Sequence, residues 1–247
     1  MPQPATRPGP EPAGPARFHT TVWSRVLRAG RADDPSARPA LAELCRAYWP
    51  PLYAYARRRG APAAEAEDAG QGFFAWLLES NALRYADPGR GRFRGFLAAA
   101  FRQYLTRKHE YDTAAKRCPP APLLPLYGVA HEPADHLTPD AAFEYAWAVA
   151  VLGRAMDRLQ AEQEAAGRGE RFAAFQGMMT GQSAEPTAVV AARVGMTEGA
   201  VRVAVHRLRQ RFAALLREEV SVTLDDGDDP ADELRHLLQA VRAGGRV

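Results

Sequence analysis

Cysteine is nearly missing from this chain: two occur in 247 residues, Cys45 and Cys118, far apart and outside any C-x-x-C pair. Neither a disulfide framework nor a zinc site is indicated, and the cytoplasm is the expected compartment. No run of about 18 apolar residues occurs, which argues against a spanning helix and a membrane partner. The opening MPQPATRPGPEPAGPAR is rich in proline and lacks the apolar centre of a secretory signal. No convincing pair of alternating strands appears either, so the fold class is all-α.

Motifs for covalent chemistry are missing as well. There is no Walker loop, nucleophile elbow or paired-carboxylate arrangement, so an enzyme is not supported. Gly89, Gly91 and Gly95 follow no strand and have arginines in their gaps, which fits a cationic loop better than a dinucleotide fingerprint. The run HEPADH places His131 and His136 five residues apart with Pro133 between them. That spacing does not put two imidazoles on one helical face, so no metal and no cofactor is expected. Function by binding is what remains.

What is present is helical periodicity and an uneven charge. Between Arg84 and Arg117 nine cations face three carboxylates, and between Glu218 and Val247 eight carboxylates face three arginines. Such a balance suits a polyanionic partner and an internal counter to it. Two small helical domains joined by a proline-rich linker are expected. Residues 1–17 read as a disordered tail, 18–118 as a first domain, 119–139 as the linker, 140–220 as a second domain, and 221–247 as an acidic linker with a final helix.

In the first domain, Phe18 to Leu27 suits a short docking helix. Ala40 to Arg59 suits a helix that Pro50 and Pro51 should kink or split. A helix over Pro62 to Glu79 follows, and then a long one from about Arg92 to Ala115. In the latter, Phe93, Phe96, Phe101 and Tyr104 alternate with Arg92, Arg94, Arg102, Arg107 and Lys108. Rings on which bases stack, beside cations that follow phosphates, suit unpaired nucleic acid. An amphipathic helix with core aromatics and a solvated cationic side accounts for part of the same residues, and both hold if different rings face different ways.

The second domain should carry helices over Asp140 to Ala165 and Glu170 to Thr180, then a helix-turn-helix from Pro186 to Leu216. In its second helix Val201, Val205, Leu208, Phe212 and Leu215 form one packing stripe, while Gly199, Val203, His206 and Gln210 fall opposite. Arg202 and Arg209 flank one edge of that outward face, and Arg207 and Arg211 the other. Short side chains toward base edges with cations on both sides match the needs of a helix in the major groove. Thr197 suits the N-cap, Glu198 the positive end of the dipole beside Ala200, and Gly195 the left-handed turn before them. The alternative is a solvated arginine face on a packing helix.

Together the stretches TTVWSRVLRAG, CRAYWPPLYAYARRRG, GRFRGFL, GMTEGAVRVAVHRLRQRF and DELRHLL, in this order from Phe18 onward, resemble bacterial RNA polymerase sigma factors of the extracytoplasmic-function type, within the sigma-70 family. The likeness is nearest to a branch abundant in planctomycete-like bacteria. It implies core RNA polymerase and promoter DNA as partners, with an anti-sigma factor or other regulator as a further candidate. It implies that Leu41 to about Lys116 grips the polymerase clamp and melts the −10 element, with Asp68, Gln71 and Phe74 as the core contact. Arg92, Phe93, Arg94, Phe96, Phe101, Arg102 and Tyr104 would map onto the melting surface, and the helix-turn-helix would meet the −35 element. Where relatives carry DLTQEFF, this chain has Asp68-Ala69-Gly70-Gln71-Gly72-Phe73-Phe74, with two glycines in a helix interior at up to about 1 kcal/mol each. A polymerase-independent DNA-binding regulator and a degenerate sigma-like adaptor are the alternatives. The acidic run Asp225, Asp226, Asp228, Asp229 and the helix after it are also placed to fold back on a basic surface and restrain DNA binding, or else to serve as a solvated linker before a packing helix.

Overall fold

A 27-residue helix with one side fully apolar lies at the centre of the computed structural model, which describes residues 37–80, 82–85, 92–114, 136–182, 185–221, 224 and 229–245. This is α4, Pro139–Ala165, and α1 (Ala37–Arg58), α2 (Ala63–Glu79) and α3 (Phe93–Ala114) precede it. After it come α5 (Gly169–Thr180), α6 (Thr187–Val194), α7 (Glu198–Ser221) and α8 (Pro230–Gly244), and a 3-10 turn at Ala82–Tyr85 lies between α2 and α3. The described residues contain no strand, so the chain is all-α there.

Capping chemistry sets the helix starts. Thr138 Oγ1 accepts from the Ala141 amide at 3.2 Å ahead of Pro139, and Asp229 Oδ1 accepts from the Ala231 amide at 2.9 Å ahead of Pro230. Each proline sits where its missing N–H would have had no helical partner anyway. The acidic stretch before α8 therefore ends in a cap: Asp229 is part of the helix start.

α4 buries Phe143, Trp147, Ala148, Val151, Ala155 and Leu159 at positions that recur every three or four residues. Its most extensive neighbour is α1, and it also touches α5, α7 and α8. As a result the buried side chains from Leu44 to Leu237 form one continuous core, which both helical halves expected from the sequence share. A small satellite of Ala54, Leu137 and Ala142 extends that contact. There the Arg58 Nε donates to the Leu137 carbonyl at 2.8 Å.

α1 runs unbroken through Pro50 and Pro51, so the expected split does not occur. Two interior prolines remove two ladder hydrogen bonds, but Tyr48, Trp49, Leu52, Tyr53 and Tyr55 on either side are all buried. Packing holds together what the backbone alone would not. The short helix expected over Phe18 to Leu27 and most of the proline-rich segment lie outside the described residues.

α2 and α3 meet through rings. Phe73 contacts Phe101 edge-on at 5.0 Å between centroids, and Trp76 and Tyr104 lie beside them. The two glycines of α2 belong to this packing. A Cβ at Gly70 would meet Trp49 Cζ3 at 2.7 Å, and one at Gly72 would strike the Tyr104 hydroxyl. The propensity lost at both positions is therefore exchanged for close ring packing.

Candidate nucleic-acid interface

The turn between α6 and α7 is built from local chemistry. Gly195 adopts φ 66° and ψ 37° and closes α6, with the Met196 amide donating back to the Ala191 carbonyl at 2.9 Å. That left-handed conformation favours glycine because a Cβ would crowd the backbone. Thr197 Oγ1 then accepts from the Ala200 amide at 3.3 Å, and Glu198 occupies the first turn of α7. On α7, Val201, Val205, Leu208 and Leu215 are buried and Phe212 half-buried, which fixes the helix roll. Gly199, Ala200, Val203, His206 and Gln210 are consequently exposed, with Val203 at 50%.

The four flanking arginines are not equivalent. Arg209 donates to the Met178 carbonyl at 2.6 Å and the Met179 carbonyl at 3.1 Å, satisfying the end of α5. Arg211 forks onto Glu162 of α4 at 2.6 and 2.9 Å and also reaches Glu218. That pairing holds the Glu162 carboxyl below its ordinary range. Both expected phosphate contacts are thus engaged within the protein, because their places further along α7 bring Arg209 to the end of α5 and Arg211 to Glu162 of α4. Arg202 meets Glu198 at 3.4 Å in an exposed i,i+4 pair, worth a few tenths of a kcal/mol. Arg207 has no hydrogen bond or ion pair among the described residues. It stands with Arg171 at the mouth of a cavity of about 390 Å³, floored by Phe172, Phe175, Met196 and Leu208.

No family model, no curated protein and no solved structure matches this chain.

The residues expected to melt DNA divide sharply. Phe93 and Phe101 are buried at 2% and 0% exposure, and Arg94 at 5%. They do not form an outward stacking surface in this arrangement, since their positions face α1, α2 and α4. Tyr48 meets Phe93 and Tyr55 meets Phe101, each edge to face. Tyr104 is half-buried in the ring cluster, and Phe96 is half-buried against Phe93. Arg102 is exposed yet engaged, donating from Nη2 to Asp140 at 2.6 Å and from Nε to the Tyr55 hydroxyl at 3.1 Å. Arg107 is exposed and Lys108 half-buried, so the outward cationic side lies at the end of α3.

On α2 Asp68 is exposed, Gln71 half-buried and Phe74 buried at 8%. Successive steps of three residues rotate each position by about 60°, which carries the third of them into the core. Phe74 is therefore a packing residue, Gln71 is half-buried with its Oε1 turned inward, and Asp68 is the accessible member of the three.

Sequence reasoning missed a buried charged cluster at the start of α3. Arg94 donates from Nε to Glu144 of α4 at 3.0 Å and from Nη1 to Glu233 of α8, with its guanidinium carbon 4.3 Å from the centre of the Trp147 ring. Arg92 Nη1 lies 2.7 Å from the other Glu233 oxygen, an ion pair off the hydrogen-bond line. His236 Nε2 is 2.9 Å from Glu144. A signal was available: Glu233 sits four residues before Leu237, on the apolar stripe of α8 where a carboxylate is out of place. Among the described residues no group of three or more His, Cys, Asp or Glu could hold a metal ion, and no helix is long and apolar enough to cross a membrane.

Proposed function

We propose that this protein is a sigma factor of the extracytoplasmic-function type, which binds core RNA polymerase and directs promoter-specific initiation without covalent chemistry of its own. The observation that carries this reading is the α6–α7 turn. Gly195 and Thr197 present Gly199, Val203 and His206 outward beside Arg207, which has no ion pair among the described residues. In this reading α6 and α7 form the helix-turn-helix of a −35-reading domain. Arg202 and Arg207 hold phosphates, and Val203 meets a thymine methyl. A face so poor in amides and guanidinia reads the upstream element largely through shape and backbone. In the same reading the segment 18–118 is the polymerase-binding part, with Asp68 and the half-buried Gln71 toward the polymerase. Arg92, Arg94, Phe96 and the cations at the end of α3 serve the −10 element.

Reconstitution of core polymerase with the chain on a promoter library tests the reading. Promoter-dependent run-off transcripts that vanish without the chain are the expected result. Absence of both transcripts and core binding rejects it.

The burial of Phe93, Arg94 and Phe101 favours a second reading, a DNA-binding regulator that works through α7 alone. Footprinting without polymerase separates the two, because only the regulator gives a specific footprint by itself.

A further inference from the structure

α8 packs chiefly on α4 and also on α7, and Glu233 in its N-terminal half reaches the start of α3. Glu233 is fully buried, and each of its two carboxylate oxygens faces an arginine of the α3 start, Oε1 toward Arg94 and Oε2 toward Arg92. Leu237, one turn on, is also fully buried, and Gly244 lies against the Tyr145 ring of α4, where no side chain would fit. His136, just before α4, meets the Ala243 carbonyl at 3.0 Å. Apolar contacts thus seat the helix at its middle and its C-terminal end while the Glu233 carboxylate faces the two arginines. Glu144 completes the cluster from α4.

A carboxylate and a phosphate offer guanidinium the same ligand, a pair of anionic oxygens at hydrogen-bond distance. Arg92 and Arg94 cannot hold Glu233 and a DNA phosphate at once. A buried ion pair is also an ineffective stabiliser compared with apolar residues of similar volume, since desolvation offsets most of its attraction.

We infer that α8 is an intramolecular clasp: Glu233, backed by Glu144, occupies Arg92 and Arg94 in place of nucleic-acid phosphates and keeps the α3 start closed until α8 is displaced. This rests on the proposed role of the α3 start in contacting the −10 element. Nucleic acid engages these arginines only in the fraction of molecules with α8 lifted, so the apparent affinity falls by that fraction. Displacement of Glu233 releases Arg92 and the Nη1 side of Arg94 together, while Glu144 still holds Arg94 Nε. Any ligand that binds the opened form, whether single-stranded DNA or core polymerase, shifts the balance by its preference for that form.

The test uses the full chain, wild type and Glu233→Gln, with a labelled single-stranded DNA oligonucleotide of mixed sequence titrated over a range of salt. Glutamine keeps the size and a hydrogen bond but removes the charge. The variant should bind at least about fivefold more tightly, which corresponds to a wild-type clasp open about a fifth of the time or less. Its salt slope should be the steeper of the two, because in wild type added salt also weakens the ion pairs that hold the clasp shut. Equal or weaker binding with an unchanged slope by a folded variant overturns the clasp. If Glu233→Gln does not fold, Glu144→Gln takes its place: its carboxylate is partly exposed, and its loss should give a smaller change of the same sign. No change there overturns the inference too. Hydrogen exchange supplies a further readout, since α8 amides should exchange faster when saturating oligonucleotide is added to wild type, and unchanged protection counts against the clasp. Core binding and run-off transcription by both proteins are measured in parallel. Their absence with tighter oligonucleotide binding by the variant removes the sigma reading and leaves the clasp, whereas transcripts from both with equal oligonucleotide binding remove the clasp alone.

Discussion

The ring of Trp49 occupies the space where a side chain at Gly70 would begin, with Cζ3 only 2.7 Å from the Cβ position. Neither atom can yield easily, since Trp49 is 5% exposed on α1 and Gly70 is in the middle of α2. The pair sets how closely these two helices approach.

Gly70→Ala should therefore lower stability by about 1–3 kcal/mol despite the better helix propensity of alanine, because overpacking outweighs a gain of about 1 kcal/mol. Gly153→Ala is the control: nothing lies within 4 Å of that Cβ, so the same exchange in α4 should stabilise by about 0.5–1 kcal/mol. Urea unfolding of the two variants measures both signs, and equal effects at the two sites would discard the close-packing account.

At the α6–α7 turn, Gly195→Val should cost about 1–2 kcal/mol, since a β-branched residue resists the left-handed conformation at φ 66°. Gly195→Asn should cost visibly less. Thermal unfolding of the two variants provides the ranking, and a tolerated valine would mean that the turn does not depend on this backbone geometry.

Among the α7 arginines, stability and nucleic-acid binding should separate. Arg209→Ala removes donors from two α5 carbonyls and is expected to destabilise by about 1 kcal/mol. Arg207→Ala should stay within about 0.5 kcal/mol of wild type while lowering DNA affinity uniformly across sequences and reducing the salt slope by about 1. Chemical denaturation paired with DNA titrations distinguishes the two, and the reverse assignment would refute the division.

The Glu162–Arg211 fork should show in the pH dependence of stability. The folded carboxyl titrates below its ordinary value of 4.5, held down by the hydrogen bond from Arg211. Its contribution is therefore complete above that value and is lost as pH falls through the depressed folded one. Both groups are about 40% exposed, so the contribution is a few tenths of a kcal/mol. The difference between wild type and Glu162→Gln should be constant from neutral pH down to about 5 and shrink below 4.5. A difference that grows on acidification contradicts the pairing.

Cys45 should be inert in the folded protein. Burial pushes its thiol up to about 12, leaving almost no thiolate near neutral pH. Treatment with a disulfide reagent at pH 8 followed by peptide mapping should find Cys45 unmodified in native protein and fully modified in denaturant.

Features with short-range causes were readable from the chain. The α7 stripe and the Gly195–Thr197 turn follow from spacing and from residue types adjacent in sequence, and both stand as expected. α3 shows the limit. Its alternation of rings and cations suits a nucleic-acid surface or a core helix equally well, and the choice is made by α1, α2 and α4, which cover Phe93 and Phe101. Arg94 was least legible of all, because Glu144 and Glu233 lie 50 and 139 residues away. Likewise Gly70 and Gly72 look like defects until Trp49 and Tyr104 are placed beside them.

The two prolines inside α1 also bear on the order of folding. A helix with a gap in its hydrogen-bond ladder nucleates poorly alone, so α1 relies on its most extensive neighbour, and that neighbour begins only at Pro139. Such distant pairing raises contact order and slows the search for the native state. During synthesis, the part of α1 that packs on α4 waits uncovered until α4 has left the ribosome.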